Sequence, residues 1–226
     1  MALRSGEYGI FDPLEIKTIL ERVPQNLAPG PSGLRFDHLK AVLLLPDKSI
    51  VDHFLFTLAS FVNTAVTGSL PVELKPFLCG GNVIPCNKKD GGLRPIVLGE
   101  VLRNIISNCV LLQAALPIKS QLGPEQYGAK PSGYGIQGAV YKAQSFARKL
   151  EGNIILKIDF KNAFNSINRT ACMLTLETLE PDCCPWVSWC LKGSSHVSFK
   201  STIIPCANGV QHSFRCHRPS DSRFLD

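Results

Sequence analysis

The sequence predicts a mixed α/β chain of the α+β type, and three observations lead to this prediction. Stretches with helical apolar spacing alternate along the chain with short apolar runs. The pair Asp90 and Gly91 lies between two such runs, which is a strong signal for a β-hairpin. Residues 154–159 form a β-branched apolar run ending in aspartate, which is typical of a buried strand. Such alternation favours helices packed on a sheet.

The first part of the chain predicts three helices, because apolar residues recur there at helical spacing and each stretch ends at a proline or glycine. These helices are expected at residues 14–22, at 35–45 and, with Ser49 or Asp52 as its cap, through residue 66.

The middle of the chain predicts a hairpin followed by a long helix. Two strands, at residues 77–85 and 93–98, flank the Asp-Gly turn. A helix then runs over 101–116 and is expected to end at Pro117. Residues 120–133, rich in glycine and proline, predict a loop.

The last part predicts helices backing a strand and then two further strands. Helices are expected at residues 136–150 and 169–179, on either side of the strand at 154–159. Two short strands are expected at 196–199 and 202–205.

The composition fits a globular chain with a modest excess of positive charge. Of 226 residues, 45% are hydrophobic and 19% charged, which argues against wholesale disorder. The formal net charge of +6 is compatible with a polyanionic partner, and it is also ordinary for a soluble protein. The charge therefore supports nucleic-acid binding only weakly.

The cysteines and the N-terminal residues predict an intracellular protein without a membrane partner. The nine cysteines include no C-x-x-C pair, and an odd count favours free thiols in a reducing compartment. No signal peptide and no membrane-spanning run is expected from the sequence.

Four short segments, in order along the chain, carry a resemblance to a known family. Residues 156–167, LKIDFKNAFNSI, resemble the first catalytic palm motif of reverse transcriptases, in the form found in non-LTR retrotransposons. Residues 28–34, APGPSGL, resemble the segment that opens that polymerase domain. Residues 88–96, KKDGGLRPI, are similar to its fingers motif, and 209–211, GVQ, to the start of a later motif. Four ordered matches are far more specific than any one of them.

This resemblance implies a right-hand polymerase with fingers and a partial palm, truncated before the second catalytic carboxylate motif. The lead-in would cover residues 1–27, the fingers 28–150 and the partial palm 151–211. Residues 212–226 depart abruptly from the family pattern and predict a disordered tail.

The resemblance also assigns roles to individual residues. Asp159 would be the catalytic carboxylate and, with Phe160, the position that binds Mg²⁺. Lys88, Arg94, Phe164 and Gln211 would contact the incoming nucleotide. For Lys88 a solvated hairpin and for Phe164 an ordinary core position are the alternatives.

A two-metal polymerase site needs several converging carboxylates, and this sequence lacks part of that set. The family supplies an adjacent Asp-Asp pair on a later strand, and this chain contains none. After Asp159 the remaining aspartates are Asp182, in a proline-bounded turn, and two in the tail. The chain is therefore expected to be inactive as it stands.

Two functions from different classes remain open on the sequence. The first is a reverse-transcriptase-like fragment whose partners are an RNA template, a DNA primer and deoxynucleoside triphosphates. The second is a non-catalytic remnant with weak, non-specific nucleic-acid binding. In either case residues 154–158 or 202–205 would leave an exposed strand edge, which predicts self-association.

Overall fold

The computed structural model describes residues 10–87, 91, 93–123, 125–128, 135–149, 154–160, 163–193, 195–200 and 202–206. Its helices are α1 (Pro13–Arg22), α2 (Phe36–Leu43), α3 (Lys48–Val66), α4 (Lys75–Leu78), α5 (Val101–Gln121), α6 (Gly135–Lys149), α7 (Ala163–Ser166), α8 (Arg169–Leu179) and α9 (Cys184–Leu191). Its strands are β1 (Gly81–Asn87), β2 (Leu93–Gly99), β3 (Ser195–Phe199) and β4 (Thr202–Cys206). The chain is thus mixed α/β, which confirms the coarse fold prediction.

The first helix begins with a reciprocal cap. The Asp12 carboxylate accepts a hydrogen bond from the Glu15 amide at 2.8 Å, and the Glu15 carboxylate accepts one from the Asp12 amide at 2.9 Å. Pro13 occupies the first helical position, where its missing N–H costs nothing. This local chemistry explains why the helix begins at the position predicted from the sequence.

Two predicted helix ends were wrong. The cap of α3 is Asp47, which accepts a hydrogen bond from the Ser49 amide at 2.9 Å, instead of Ser49 or Asp52. Helix α5 continues through Pro117 to Gln121. A proline removes one backbone hydrogen bond, and here that loss does not end the helix.

The four strands form one mixed sheet in the order β2-β1-β3-β4. The predicted hairpin is confirmed, since β1 and β2 pair antiparallel from Gly81 with Gly99 to Asn87 with Leu93. Phe77, predicted in the first strand, instead belongs to α4. Strand β3 joins β1 in parallel and pairs antiparallel with β4, which lies at one edge of the sheet.

The core lies among the helices. Its fully buried side chains come mainly from α1, α3, α5 and α9, and they include Ile16, Leu20, Val62, Ile105 and Trp186. Helix α9 was not predicted from the sequence, yet its Trp186 is completely buried. The Trp189 indole donates to the Leu70 carbonyl at 2.8 Å, which ties α9 to the segment after α3.

The predicted strand at residues 154–159 is absent, and this is the main correction to the fold. Residues 154–160 are described without helix or strand, and every one of them is exposed. Helix α6, predicted to back that strand, has no buried residue among its described side chains. A strand requires a neighbour for its backbone hydrogen bonds, and no described segment supplies one here.

Helices α3 and α5 are long and apolar enough to cross a bilayer by length and composition. In both, 39% of the apolar window is buried inside the protein, where it forms part of the core. A core helix of a soluble protein has the same character, so the two helices are weak grounds for a membrane location.

Candidate nucleotide and nucleic-acid site

The hairpin β1–β2 holds the backbone of one predicted nucleotide-binding residue in a fixed register. Arg94 lies on β2 opposite Cys86 of β1. The side chain of Arg94 and the whole of Lys88 lie outside the described residues. The hairpin that was expected to carry both residues is therefore present, and the positions of their charged groups stay predictions.

The base of this hairpin is bound by a loop from much earlier in the chain. The carboxylate of Glu100, directly after β2, accepts two hydrogen bonds from Ser32, one from its amide at 2.8 Å and one from its hydroxyl at 2.6 Å. The two residues are 68 positions apart in sequence. Glu100 is buried, and hydrogen bonds to a buried ionised group are among the stronger ones in proteins.

Glycines allow this loop to come into backbone contact with the hairpin. A Cβ on Gly30 would lie 2.8 Å from the carbonyl oxygen of Gly99 and 3.0 Å from the Cα of Glu100. A Cβ on Gly99 would in turn lie 2.0 Å from the Arg103 guanidinium. The close approach of the loop to the hairpin therefore depends on Gly30, whereas the space at Gly99 is taken by the Arg103 side chain.

The contact joins one segment that carries the family resemblance to the end of the hairpin that contains another. Ser32 and Gly30 belong to residues 28–34, whereas Gly99 ends the strand that contains Arg94 and Glu100 follows it, both beyond residues 88–96. The structure therefore places the first segment at the base of the hairpin to which the second belongs.

Asp159 and Phe160 lie in the exposed segment 154–160, and Phe160 is 75% exposed. In the part of the chain that the structure describes, no group of three or more His, Cys, Asp or Glu side chains is placed to hold a metal ion. A single exposed carboxylate does not meet the requirement of a two-metal site. The described residues therefore do not fit the magnesium ions that the resemblance implies.

The two remaining predicted residues are described in part or not at all. Phe164 lies on the short helix α7, and its side chain is outside the described residues. Gln211 lies entirely outside them. The predicted loop at 120–133 and the tail at 212–226 are likewise undescribed in part or in full.

A second group of polar side chains is buried beside the base of the hairpin, and sequence reasoning missed it. Arg103 of α5 is 1% exposed, and its Nη1 donates to the Cys79 carbonyl at 3.5 Å. Burial lowers the pKa of the Arg103 guanidinium, while the thiols of Cys79 and Cys190 and the carboxylate of Glu100 raise it. Lys75 is also buried, and burial lowers the pKa of its ammonium group.

Another buried arginine has a structural role at the junction of α8 and β3. The Arg169 guanidinium donates to the carbonyls of Leu191 at 3.2 Å and Gly193 at 2.9 Å, and it contacts the Ser195 hydroxyl at 3.5 Å. These contacts fix the turn between α9 and β3. Arg169 thereby helps to position β3 against β1.

The missed residues gave little signal in the sequence. Glu100 and Arg103 are spaced so that they lie on the same side of a helix, and this spacing is as typical of an exposed helix surface as of a buried site. Cys79 and Cys190, which both raise the pKa of Arg103, are distant from each other in sequence. Only the glycine pair Gly30 and Gly99 could have suggested a close backbone approach.

Comparison with known proteins does not assign the chain to a family. No family model matches the chain, and no curated protein matches it with significant similarity.

Proposed function

We propose that the chain is the fingers and the first part of the palm of an RNA-directed DNA polymerase of the non-LTR retrotransposon type. In this proposal the fingers cover residues 28–150 and the partial palm 151–211. The chain is intracellular, binds RNA template, primer and deoxynucleoside triphosphate through its basic hairpin, and does not extend a primer by itself. The observation that carries the proposal is the contact of Ser32 and Gly30 with Gly99 and Glu100.

This contact supports the proposal because the two segments were recognised independently. The loop at residues 28–34 and the hairpin at 88–96 each resemble a family motif, and nothing in their sequences requires them to touch. The Ser32 bonds to Glu100 anchor the loop at the base of the hairpin. An accidental match would not predict that the first motif makes two hydrogen bonds and a glycine-dependent contact with the base of the hairpin to which the second motif belongs.

The proposal gives the basic residues of the hairpin a role in binding phosphate groups. In this proposal Lys88 and Arg94 contact the phosphate groups of the nucleotide and of the RNA. A guanidinium forks onto phosphate oxygens, and an ammonium group supplies a mobile positive charge. Phe164 would lie against the sugar of the nucleotide and Gln211 against the template.

The proposal covers binding and not catalysis, because the chain lacks carboxylates that a two-metal site needs. Asp159 is the one family carboxylate that the sequence retains, and the described residues around it do not form a metal site. No step of nucleotidyl transfer is therefore assigned to this chain on its own.

A second candidate function is a non-catalytic remnant that binds nucleic acid without selecting nucleotides. The exposed, unpaired segment 154–160 favours this alternative, because a working palm needs that carboxylate held on a sheet. The two candidates differ in triphosphate binding. The first requires a saturable site for deoxynucleoside triphosphate, and the second requires none.

The test of the first candidate is binding of labelled single-stranded RNA and of a fluorescent deoxynucleoside triphosphate. Lys88→Ala and Arg94→Ala should each weaken both, and each should reduce the slope of log K against log salt by about 0.7, as expected for one lost phosphate contact. Lys48→Ala, a change at an exposed lysine at the start of α3, is the matched control and should alter neither RNA binding nor triphosphate binding.

Equal losses in all three variants, or RNA binding that persists at high salt, would contradict the hairpin site. RNA binding by the wild-type chain without saturable triphosphate binding would favour the remnant.

A primer-extension assay tests the absence of catalysis. No extension is expected with magnesium or manganese on RNA or DNA templates, because loss of metal ligands removes several kcal/mol of transition-state stabilisation. Extension by the wild-type chain that is abolished in Asp159→Asn would show that the chain completes a metal site.

A further inference from the structure

The two hairpin connections of the sheet lie at the same end of it. Strand β3 runs parallel to β1, with Gly81 beside Val197 and Asn82 beside Ser198. Strand β1 leads into β2 and β3 leads into β4, and each of these two pairs is antiparallel. The carboxyl ends of β1 and β3 therefore point the same way. Lys200, in the turn directly after β3, thus lies at the end of the sheet where the chain passes from β1 to β2.

Side-chain contacts hold β3 beside β1 close to this end. The Ser198 hydroxyl donates to Oδ1 of Asn82 at 2.6 Å and contacts the Gly81 carbonyl at 3.5 Å. The same register continued places Phe199 level with Val83, so β1 extends beyond β3 by about 13 Å at about 3.3 Å per residue. A helical single strand rises about 3.4 Å per nucleotide, so about four nucleotides span this distance.

Positive charge is concentrated on this part of the chain. The four strands contain no Asp or Glu. Residues 81–99 and 195–206 together hold four basic residues and one acidic residue, a net charge of +3 against +6 for the whole chain. The basic residues are Lys88, Lys89, Arg94 and Lys200. Positive charge of this density attracts a polyanion.

The conformation of Lys200 presents its charge to solvent. Its φ is 54°, in the left-handed region that favours glycine or asparagine, and the residue is exposed. Its ammonium group lies over the Phe199 ring, 5.7 Å from the ring centroid, which is a cation–π contact. The charge is therefore held at the turn and stays accessible. A lysine at a position that favours smaller residues indicates that the charge itself has a role.

We propose that Lys200, held by Phe199, contacts a phosphate group of single-stranded RNA beside the contacts made by the β1–β2 hairpin. The inference rests on the proposed function, because the same RNA strand also meets Lys88 and Arg94. It extends that function by a residue that binds the RNA strand and not the incoming triphosphate. The two hairpins contact different phosphates of one strand, since β1 reaches about 13 Å beyond the end of β3.

The experiment measures binding of labelled single-stranded RNA to the full chain over a range of salt concentrations. Lys200→Asn removes the charge and keeps a residue that accepts a positive φ. It should lower RNA affinity about fivefold at about 0.1 M salt and reduce the slope of log K against log salt by about 0.7. Triphosphate binding should stay unchanged. Lys200→Arg, which keeps the charge, should bind RNA like the wild type.

Two further variants test the position of the charge. Lys192→Ala is the matched control, because Lys192 is an exposed lysine that precedes β3 and so lies towards the opposite end of that strand. It should leave RNA binding unchanged. The double variant with Lys88→Ala and Lys200→Asn should reduce the salt slope by about 1.4, as expected for two separate phosphate contacts.

The possible results separate this inference from the proposed function. Weaker RNA binding in Lys88→Ala and Arg94→Ala, with wild-type binding in Lys200→Asn, would overturn the inference and leave the proposed function intact. Weaker RNA binding in Lys200→Asn, in a chain without saturable triphosphate binding, would support the inference and contradict the proposed function. Equal losses in Lys192→Ala and Lys200→Asn would also overturn the inference, because net charge alone would then explain both.

Discussion

The helical core and the segment at residues 154–160 both carry many large apolar side chains, but those side chains differ in burial. In the core, Ile16, Leu20 and Trp186 are fully buried. In the segment, Ile154 is 90% and Leu156 79% exposed. The difference shows that an apolar pattern predicts what a segment can bury, while the presence of a partner surface decides whether it does so.

The same comparison extends to the helices. Helix α5 buries seven residues, among them Ile105 and Cys109, against α1, α3 and α8. Helix α6 is shorter, with 15 residues against 21, and it has an apolar face that includes Ile136 and Val140, both exposed. Exposed apolar surface of this kind promotes association, so self-association of the chain remains a prediction.

The largest expected difference in the free energy of unfolding is between substitution of a core tryptophan and substitution of an exposed phenylalanine. Trp186→Ala should lower the free energy of unfolding by about 3–5 kcal/mol, because it leaves a cavity and removes the stacking on Trp189. It also removes the hydrogen bond from its indole to the Ser107 hydroxyl, which is 3.2 Å long. Phe160→Ala should change that free energy by less than about 0.5 kcal/mol. Urea unfolding measures both, and a similar cost for the two variants would mean that residues 154–160 are buried in solution.

A smaller effect is expected where the loop meets the base of the hairpin. Gly30→Ala should destabilise the protein by about 1–3 kcal/mol, because the added Cβ meets the Gly99 backbone, which cannot rotate away. Gly123→Ala is the matched control, since nothing lies within 4 Å of its added Cβ. If the two variants are equally stable in thermal unfolding, the loop is not seated on the hairpin as described.

The smallest effect is a dependence of stability on alkaline pH. The thiol of Cys109 has an ordinary pKa of 9.0, and in the folded protein burial raises this pKa to about 12. The folded chain therefore holds this proton more tightly than the unfolded chain does. Its contribution to stability is fully present below pH 9 and is lost as the pH rises towards 12, by up to about 1.4 kcal/mol per pH unit.

Two variants test the origin of this alkaline slope. Cys109→Ala should remove the part of the slope that Cys109 causes. Val110→Ala, a neighbouring buried residue that does not titrate, should lower stability without changing the slope. Urea unfolding between pH 8 and about 10 measures the difference, and an unchanged slope in Cys109→Ala would assign the effect to other groups.

Local chemistry made much of the fold predictable. The Asp-Gly turn predicted the β1–β2 hairpin, and prolines or glycines marked the ends of α1 and α3. Each of these signals acts within a few residues, so the sequence around it is sufficient. The two strands β3 and β4 were predicted on the same local grounds, and the structure pairs them antiparallel.

The errors arose where a structure depends on distant partners. Residues 154–159 have strand character, but a strand also needs hydrogen bonds from a neighbour that the pattern does not name. The burial of Trp186 likewise depends on how α9 packs. For the candidate site, the hairpin was predictable, whereas its contact with Ser32 was not, because 68 residues separate the partners.

The parallel pairing of β1 with β3 also has a consequence for the order of folding. Gly81 and Ser198, which hydrogen-bond across this pair, are 117 residues apart in sequence. The hairpin β1–β2 can close as soon as its own residues are made, but β1 must wait for β3 until nearly the whole described chain has left the ribosome. Contacts this distant slow folding, because the loop must close before the pairing stabilises it. The inner edge of β1 is thus open during synthesis, and this interval is when the nascent chain is most exposed to chaperones and to aggregation.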